Sequence, residues 1–109
     1  VQRAENRKTT TIFIEVFKMN NEFKLAEEKR LYEVIASLSS PEEVRALFED
    51  LCTIGEISAM AGRLKAAELL LDGNTYEQVT RETEISSATL SRVSKCVKYG
   101  NGYRLILKK

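Results

Sequence analysis

The residues best suited to chemistry lie in one run near the C-terminal end of the sequence. Residues 86–98 carry hydroxyl groups mainly in their first half and long cations in their second half, with hydroxyls at Ser86, Ser87, Thr89 and Ser91 and cations at Arg92, Lys95 and Lys98. Hydroxyls bond to bases or phosphates, and long cations reach phosphates. From Ser86 onward there are six Lys/Arg and no Asp or Glu. The run is a candidate for contact with a polyanion; the alternative is a solvated basic tail.

A helix over residues 87–98 places these side chains on one face. At 100° per residue, one side collects Ser87, Ala88, Ser91, Arg92, Lys95 and Lys98, and the other collects Leu90, Val93 and Val97. A helix of about 20 Å fits the major groove of a duplex. We therefore expect Ser86 to cap this helix and Ser87, Ala88, Thr89 and Ser91 to lie nearest the bases. Arg92 would contact a base or a phosphate, and Lys95, Lys98 and Arg81 would contact phosphates.

The element before this helix predicts a helix-turn-helix. Thr75 and Gln78 have the spacing of a capping box, and the short helix that they begin ends near Thr83. The run TYEQVTRETEISSATLSRV, residues 75–93, resembles the helix-turn-helix pattern of bacterial repressors. It departs from that pattern at Thr80, usually Ala, and at Glu84, usually a Gly with positive φ. A non-Gly residue in that conformation costs about 1 kcal/mol, so the two departures suggest a modified turn instead of the most common geometry.

The rest of the chain predicts further helices and no sheet. The apolar spacing indicates helices over about 22–37, 41–52 and 55–72, the second starting after Ser40-Pro41 and the third ending at Asp72-Gly73-Asn74. Residues 1–18 contain a β-branched and aromatic run without a partner strand, which we interpret as an arm packing on a neighbour. We expect an N-terminal extension over 1–21, a helix-turn-helix domain over 22–109, and a short apolar-basic tail after Gly102.

Composition excludes most catalytic and metal sites. The chain has 109 residues and no His, and its two Cys, Cys52 and Cys96, are too few for a Cys/His zinc site. Exposed carboxylates such as Glu27, Glu28, Glu42 and Glu43 are equally explained by helix solubility. We expect no enzyme, no metal and no membrane span, and a cytoplasmic location because no secretory signal is apparent.

Residues 22–107 resemble the Trp repressor superfamily, and within it the YerC/YecD group of Trp-repressor-related proteins. The resemblance rests on the segments SPEEVRALFEDLCT, AGRLKAAELLLDGNTYEQV and SSATLSRVSKCVKYGNGYRLI. It implies an all-α, intertwined homodimer whose first helices share a core. It also implies two recognition helices about 34 Å apart that read a roughly palindromic operator in double-stranded DNA.

The same resemblance implies a corepressor pocket, which this sequence alters. In the Trp repressor, two arginines sandwich an indole ring; Arg63 and Arg92 match them. Val93 stands where a glycine makes room for that ring, and Cys96 stands where a serine helps to hold the ligand's amino group. The Val93 side chain would fill the space that the indole ring needs. We therefore expect this protein to keep the DNA-binding face of the family but not its tryptophan site. The alternatives here are an unidentified effector or a structural role for Arg63.

These observations lead to two hypotheses of different classes. The first is a sequence-specific DNA-binding transcriptional regulator, of the repressor type, that reads the major groove with the helix over about 87–98. The second is an adaptor that uses the helix-turn-helix to bind another protein. Retention on nonspecific DNA that disappears with added salt favours the first.

Overall fold

The computed structural model describes residues 2–108 and, for side chains, residues 10–108. Within that span it has no strand and contains these helices: α1 (Gln2–Ala36), α2 (Pro41–Leu51), α3 (Ile54–Leu71), α4 (Tyr76–Glu82), α5 (Ser87–Tyr99) and α6 (Gly102–Leu107). The all-α prediction is confirmed. The chain divides into two compact units between Ala46 and Leu47, inside α2. The boundary expected between residues 21 and 22 stays a prediction.

Helix α1 begins 20 residues earlier than the sequence pattern predicted, at Gln2 instead of Glu22. The β-branched and aromatic run over 9–17 is part of this helix. Such residues lower helix propensity by only a few tenths of a kcal/mol each, and no Gly or Pro interrupts the first 36 residues. The helix ends where the Ser37 hydroxyl donates to the carbonyl of Val34, at 2.6 Å.

Helices α2 and α3 begin at side-chain caps. The Ser40 hydroxyl accepts from the backbone N–H of Glu43 at 3.2 Å, and Pro41 occupies the first helical position, as predicted. At the start of α3, Thr53 and Glu56 form a capping box that the sequence analysis did not identify, with bonds of 2.9 and 3.1 Å. These bonds fix where each helix starts.

The predicted C-terminal signal of α3 is confirmed. Gly73 has a φ of 93°. Its N–H donates to Leu70, and the N–H of Asn74 donates to Leu69, which is the Schellman pattern. Since only glycine adopts this φ without strain, Gly73 sets the direction in which the chain leaves α3 towards α4.

The second unit holds the buried core of the described residues. Val79 of α4 and Leu90, Val93 and Val97 of α5 are buried with three residues of α3, which are Ala66, Ala67 and Leu69. The small Ala66 and Ala67 are fully buried, which lets the helices approach closely. The core thus fixes α5 by its apolar side.

The short apolar-basic tail expected after Gly102 contains a helix that the sequence pattern did not indicate. Residues Gly102–Leu107 form α6, and Tyr103 and Leu107 pack against the core. Six residues are too few to show an apolar period, so the helix depends on this packing. Lys109 lies outside the described residues. In residues 2–108, no helix is both long and apolar enough to cross a membrane.

Candidate nucleic-acid interface

Helices α4 and α5 form a helix-turn-helix with a four-residue turn, Thr83 to Ser86. Thr75 and Gln78 form the predicted capping box at the start of α4, with bonds of 2.7 and 3.3 Å. The Ser86 hydroxyl accepts from the backbone N–H of Thr89 at 3.2 Å and therefore caps α5, also as predicted. Both helices start at fixed positions because their first amides are bound.

The turn does not use the common geometry. Among the described residues, no residue other than glycine has a positive φ. Glu84 therefore avoids the cost of about 1 kcal/mol that a positive φ would carry, and the modified turn that the sequence predicted is confirmed. Thr80, the other departure, is exposed, and its hydroxyl donates to the Tyr76 carbonyl at 2.8 Å. The chain passes between the helices without a left-handed residue.

A close approach to α3 holds the turn in place, which the sequence analysis missed. Ile85, in the turn, is half-buried and packs against the core. A Cβ atom added to Gly62 of α3 would lie 3.0 Å from the Cγ2 atom of Ile85. The absence of a side chain at Gly62 thus allows Ile85 of the turn to pack closely against α3. A glycine inside an otherwise regular helix is the sequence signal for such a contact.

The proposed reading face of α5 points away from the core of its own chain. Leu90, Val93 and Val97 are 3%, 1% and 6% exposed. On the other side, every member of the predicted outer face is exposed, that is Ser87, Ala88, Ser91, Arg92, Lys95 and Lys98, while Thr89 is half-buried. The arrangement places hydroxyl and methyl groups near the start of α5 and cations along the rest. We call the surface formed by the six exposed residues, Ser87, Ala88, Ser91, Arg92, Lys95 and Lys98, the α5 face.

Arg81 of α4 lies next to the start of the α5 face. A groove of about 520 Å³ is lined by Tyr76, Glu77, Thr80, Arg81, Ser87 and Leu90. Arg81 and Ser87 therefore line the same groove. Glu77 on the same groove adds a carboxylate, so this end of the surface is less positive than the end with Lys95 and Lys98.

The residues matched to a corepressor pocket do not share one cavity. Arg63 lines a groove of about 650 Å³ between α3 and the turn, together with Glu82, Glu84 and Thr89. Cys96 lines a different, mostly apolar groove of about 500 Å³ beside α6. Val93 is buried, and Arg92 lines neither groove. Within one chain, this arrangement does not fit an indole held between two arginines.

No metal site is apparent in the part of the chain that the structure describes. No group of three or more His, Cys, Asp or Glu there has the geometry to hold a metal ion. Cys52 is half-buried, Cys96 is exposed, and both are free thiols.

Comparison with known proteins identifies the family. The profile of the Trp repressor protein family matches residues 26–109. The uncharacterized protein YerC of Bacillus subtilis strain 168 is 49% identical over 72 residues, which are 66% of this chain and 69% of YerC.

Two crystal structures have similar folds. A Trp-repressor-type protein from Staphylococcus aureus is 37% identical with a TM-score of 0.73, covering 76% of this chain and 84% of that one. A TrpR-like protein from Eubacterium eligens is 36% identical with a TM-score of 0.74, covering 81% and 92%. The protein has the fold of a helix-turn-helix transcription regulator. The chain belongs to the Trp repressor family, as the sequence predicted.

Proposed function

We propose that this protein is a sequence-specific DNA-binding transcriptional regulator, of the repressor type, whose residues 22–109 form the DNA-binding domain. The observation that carries the proposal is the α5 face, which is exposed, free of carboxylates and mounted on a buried apolar side. Ser87, Ala88, Thr89 and Ser91 lie nearest the base edges, and Arg92 contacts a base or a phosphate. Lys95, Lys98 and Arg81 contact phosphates.

A homodimer is part of this proposal. Among the described residues, seven hydrophobic side chains are buried, whereas many large ones are exposed, including Leu31, Tyr32, Leu105 and Ile106. A second copy is the partner that gives two recognition helices for the two halves of a palindrome. Membership of the Trp repressor family supports the same assembly.

We also propose that DNA binding here does not depend on tryptophan. Val93 is 1% exposed at the position where the ring would need space, and Arg63 and Cys96 line separate grooves. Adding tryptophan is expected to leave the affinity for DNA unchanged. A tenfold increase in affinity on addition would contradict this.

The deciding experiment is selection of bound sites from a pool of random duplex oligonucleotides. The proposal expects a palindromic consensus whose affinity exceeds that for a random duplex by about a thousandfold or more. No enrichment, with binding that depends on salt alone, would show a nonspecific binder. No binding to DNA at any salt concentration would favour the adaptor hypothesis.

A further inference from the structure

The C-terminal end of α5 is capped by a side chain from outside that helix. The last four carbonyls of an α-helix have no partner in the next turn. At the end of α5, the Cys96 carbonyl accepts from the N–H of Gly100 at 2.9 Å. The Val97 carbonyl accepts from the Nε atom of Arg104, on α6, at 2.5 Å. The guanidinium therefore lies at the end of α5 where the helix dipole favours a cation.

Arg104 is exposed, but the residues of α6 that pack on the core hold the helix that carries it. Tyr103 precedes Arg104 and Leu107 is one turn later, and both are half-buried against the core. The connection between α5 and α6 is tight, because a Cβ atom added to Gly100 would lie 2.7 Å from the Cys96 carbonyl oxygen. The guanidinium is thus carried by a short helix with little freedom to move relative to α5.

The cations of the α5 face depend on the same end of the helix. Lys98 lies in the last turn of α5, and Lys95 one turn earlier. Helix ends fray when their terminal groups lack partners, and fraying here would displace Lys98 first. We propose that Arg104 is a positioning residue for DNA recognition, holding the last turn of α5 in the geometry that the duplex requires. The inference rests on the proposed function.

The variant Arg104→Lys tests this inference without changing the charge. Lysine has a methylene group at the chain position of Nε, so the donor to Val97 is lost while the cation remains. Amide hydrogen exchange at Lys98, Tyr99 and Gly100, measured without DNA, is expected to become about tenfold faster. This factor corresponds to the loss of one charge-assisted hydrogen bond. Lys108→Ala, which removes a cation just after α6, is the control and is expected to leave those rates unchanged.

The second measurement is the ratio of affinities for the duplex selected by the wild-type protein and for a random duplex. Arg104→Lys is expected to lower this ratio about tenfold and to keep the wild-type dependence of affinity on salt. Gly100→Ala, which forces a shift at the same junction, is expected to lower the ratio too, and serves if Arg104→Lys is poorly folded. Both are measured well below the unfolding temperature, so that a loss of stability alone does not change the ratio.

The outcomes separate this inference from the proposed function. Unchanged amide exchange in Arg104→Lys would overturn the inference even if the protein binds DNA. Faster exchange with an unchanged affinity ratio would overturn it as well, because the hydrogen bond would then be a local cap only. If Arg104→Lys behaves as wild type in both measurements while Arg104→Gln loses about one unit of salt slope, Arg104 is a phosphate contact. A wild-type protein that selects no duplex shows instead that the proposed function is wrong.

Discussion

At the scale of single residues, the cations and the hydroxyls of the α5 face are expected to do different work. A cation that neutralises a phosphate releases a counterion, and this contribution to binding is the same for every DNA sequence. A hydroxyl next to a base edge contributes to the difference between sequences. The two kinds of residue therefore give different signatures when they are removed.

The variant Lys98→Ala is expected to weaken binding to all duplexes. If Lys98 neutralises one phosphate, the slope of log affinity against log salt concentration becomes shallower by about 0.9. Titrations of a labelled duplex at several salt concentrations measure this slope. Lys24→Ala, which removes the same charge from α1, is expected to keep it. A wild-type slope in Lys98→Ala would mean that Lys98 does not contact a phosphate.

The variant Ser91→Ala is expected to change which sequences are preferred. Its hydroxyl is exposed on the α5 face, in the half that also carries Ser87 and Ala88. Losing a hydrogen bond to a base edge costs on the order of 1 kcal/mol for the preferred base pair and little for others. Selection of bound sites with the variant measures the change in preferred sequence. Ser58→Ala of α3 is the control and is expected to select the wild-type consensus. An unchanged consensus would remove Ser91 from the reading residues.

At the scale of the helices, two capping carboxylates make stability depend on pH. The Ser39 hydroxyl and backbone N–H, which donate to Glu43 at 2.6 and 2.7 Å, hold the pKa of that carboxyl below 4.5. The backbone N–H of Thr53 lowers the pKa of Glu56 in the same way. Because the folded-state pKa is lowered, the stabilisation is present above pH 4.5 and is lost as pH falls through the lowered pKa.

Thermal unfolding between pH 6 and pH 3 tests this expectation. The double variant Glu43→Gln, Glu56→Gln is expected to melt at a lower temperature than wild type at pH 6. The difference in melting temperature between the double variant and wild type should become smaller at acid pH, where the wild-type carboxylates become protonated. Glu28→Gln, an exposed change on α1, is the comparison and should follow wild type. Parallel curves for the double variant and wild type would mean that these caps do not contribute.

The contact between Gly62 and Ile85 predicts a difference between two glycines of α3. Replacing a glycine in a helix by alanine adds about 0.5–1 kcal/mol of stability where there is room. Gly55 has that room, since its added Cβ would meet nothing nearer than 3.9 Å, whereas at Gly62 the distance is 3.0 Å. Gly62→Ala is therefore expected to be less stable than Gly55→Ala by about 1 kcal/mol, measured by urea unfolding. Equal stabilities would show that Ile85 gives way freely.

These elements also show what the sequence could and could not predict. Capping signals are local, so the starts of α2, α4 and α5 and the end of α3 were predicted to within a residue. The α5 face followed from helical periodicity. The length of α1, the helix α6, the approach of Gly62 and the bond from Arg104 were missed, because each depends on weak propensities or on residues that meet only in the folded chain. The turn at Glu84 was predicted to depart from the common geometry, because glutamate is strained at a positive φ.

At the scale of the whole molecule, the small core of the described residues supports the proposed homodimer. In the described residues, Ile54 is 89% exposed and Tyr99 is 84% exposed, although both are large and apolar. Exposed apolar area of this kind is costly in water and is normally covered. We therefore expect a mass of about 25 kDa in solution, twice the 12.4 kDa of one chain, with a melting temperature that rises with concentration.

The spacing of the half-sites in the selected duplex tests the dimer and the α5 face together. In the proposed dimer, two recognition helices about 34 Å apart would reach successive major grooves on the same side of the duplex. Inserting about 5 bp between the half-sites turns one of them to the opposite side and is expected to reduce affinity to that of a single half-site. An insertion of about 10 bp is the matched control. It returns the second half-site to the same side of the duplex but leaves it too far from the first, so a rigid dimer is expected to bind this duplex weakly too. Full affinity on the longer site would mean that the two reading heads are joined flexibly, and equal affinity on all three sites would mean that each chain binds alone.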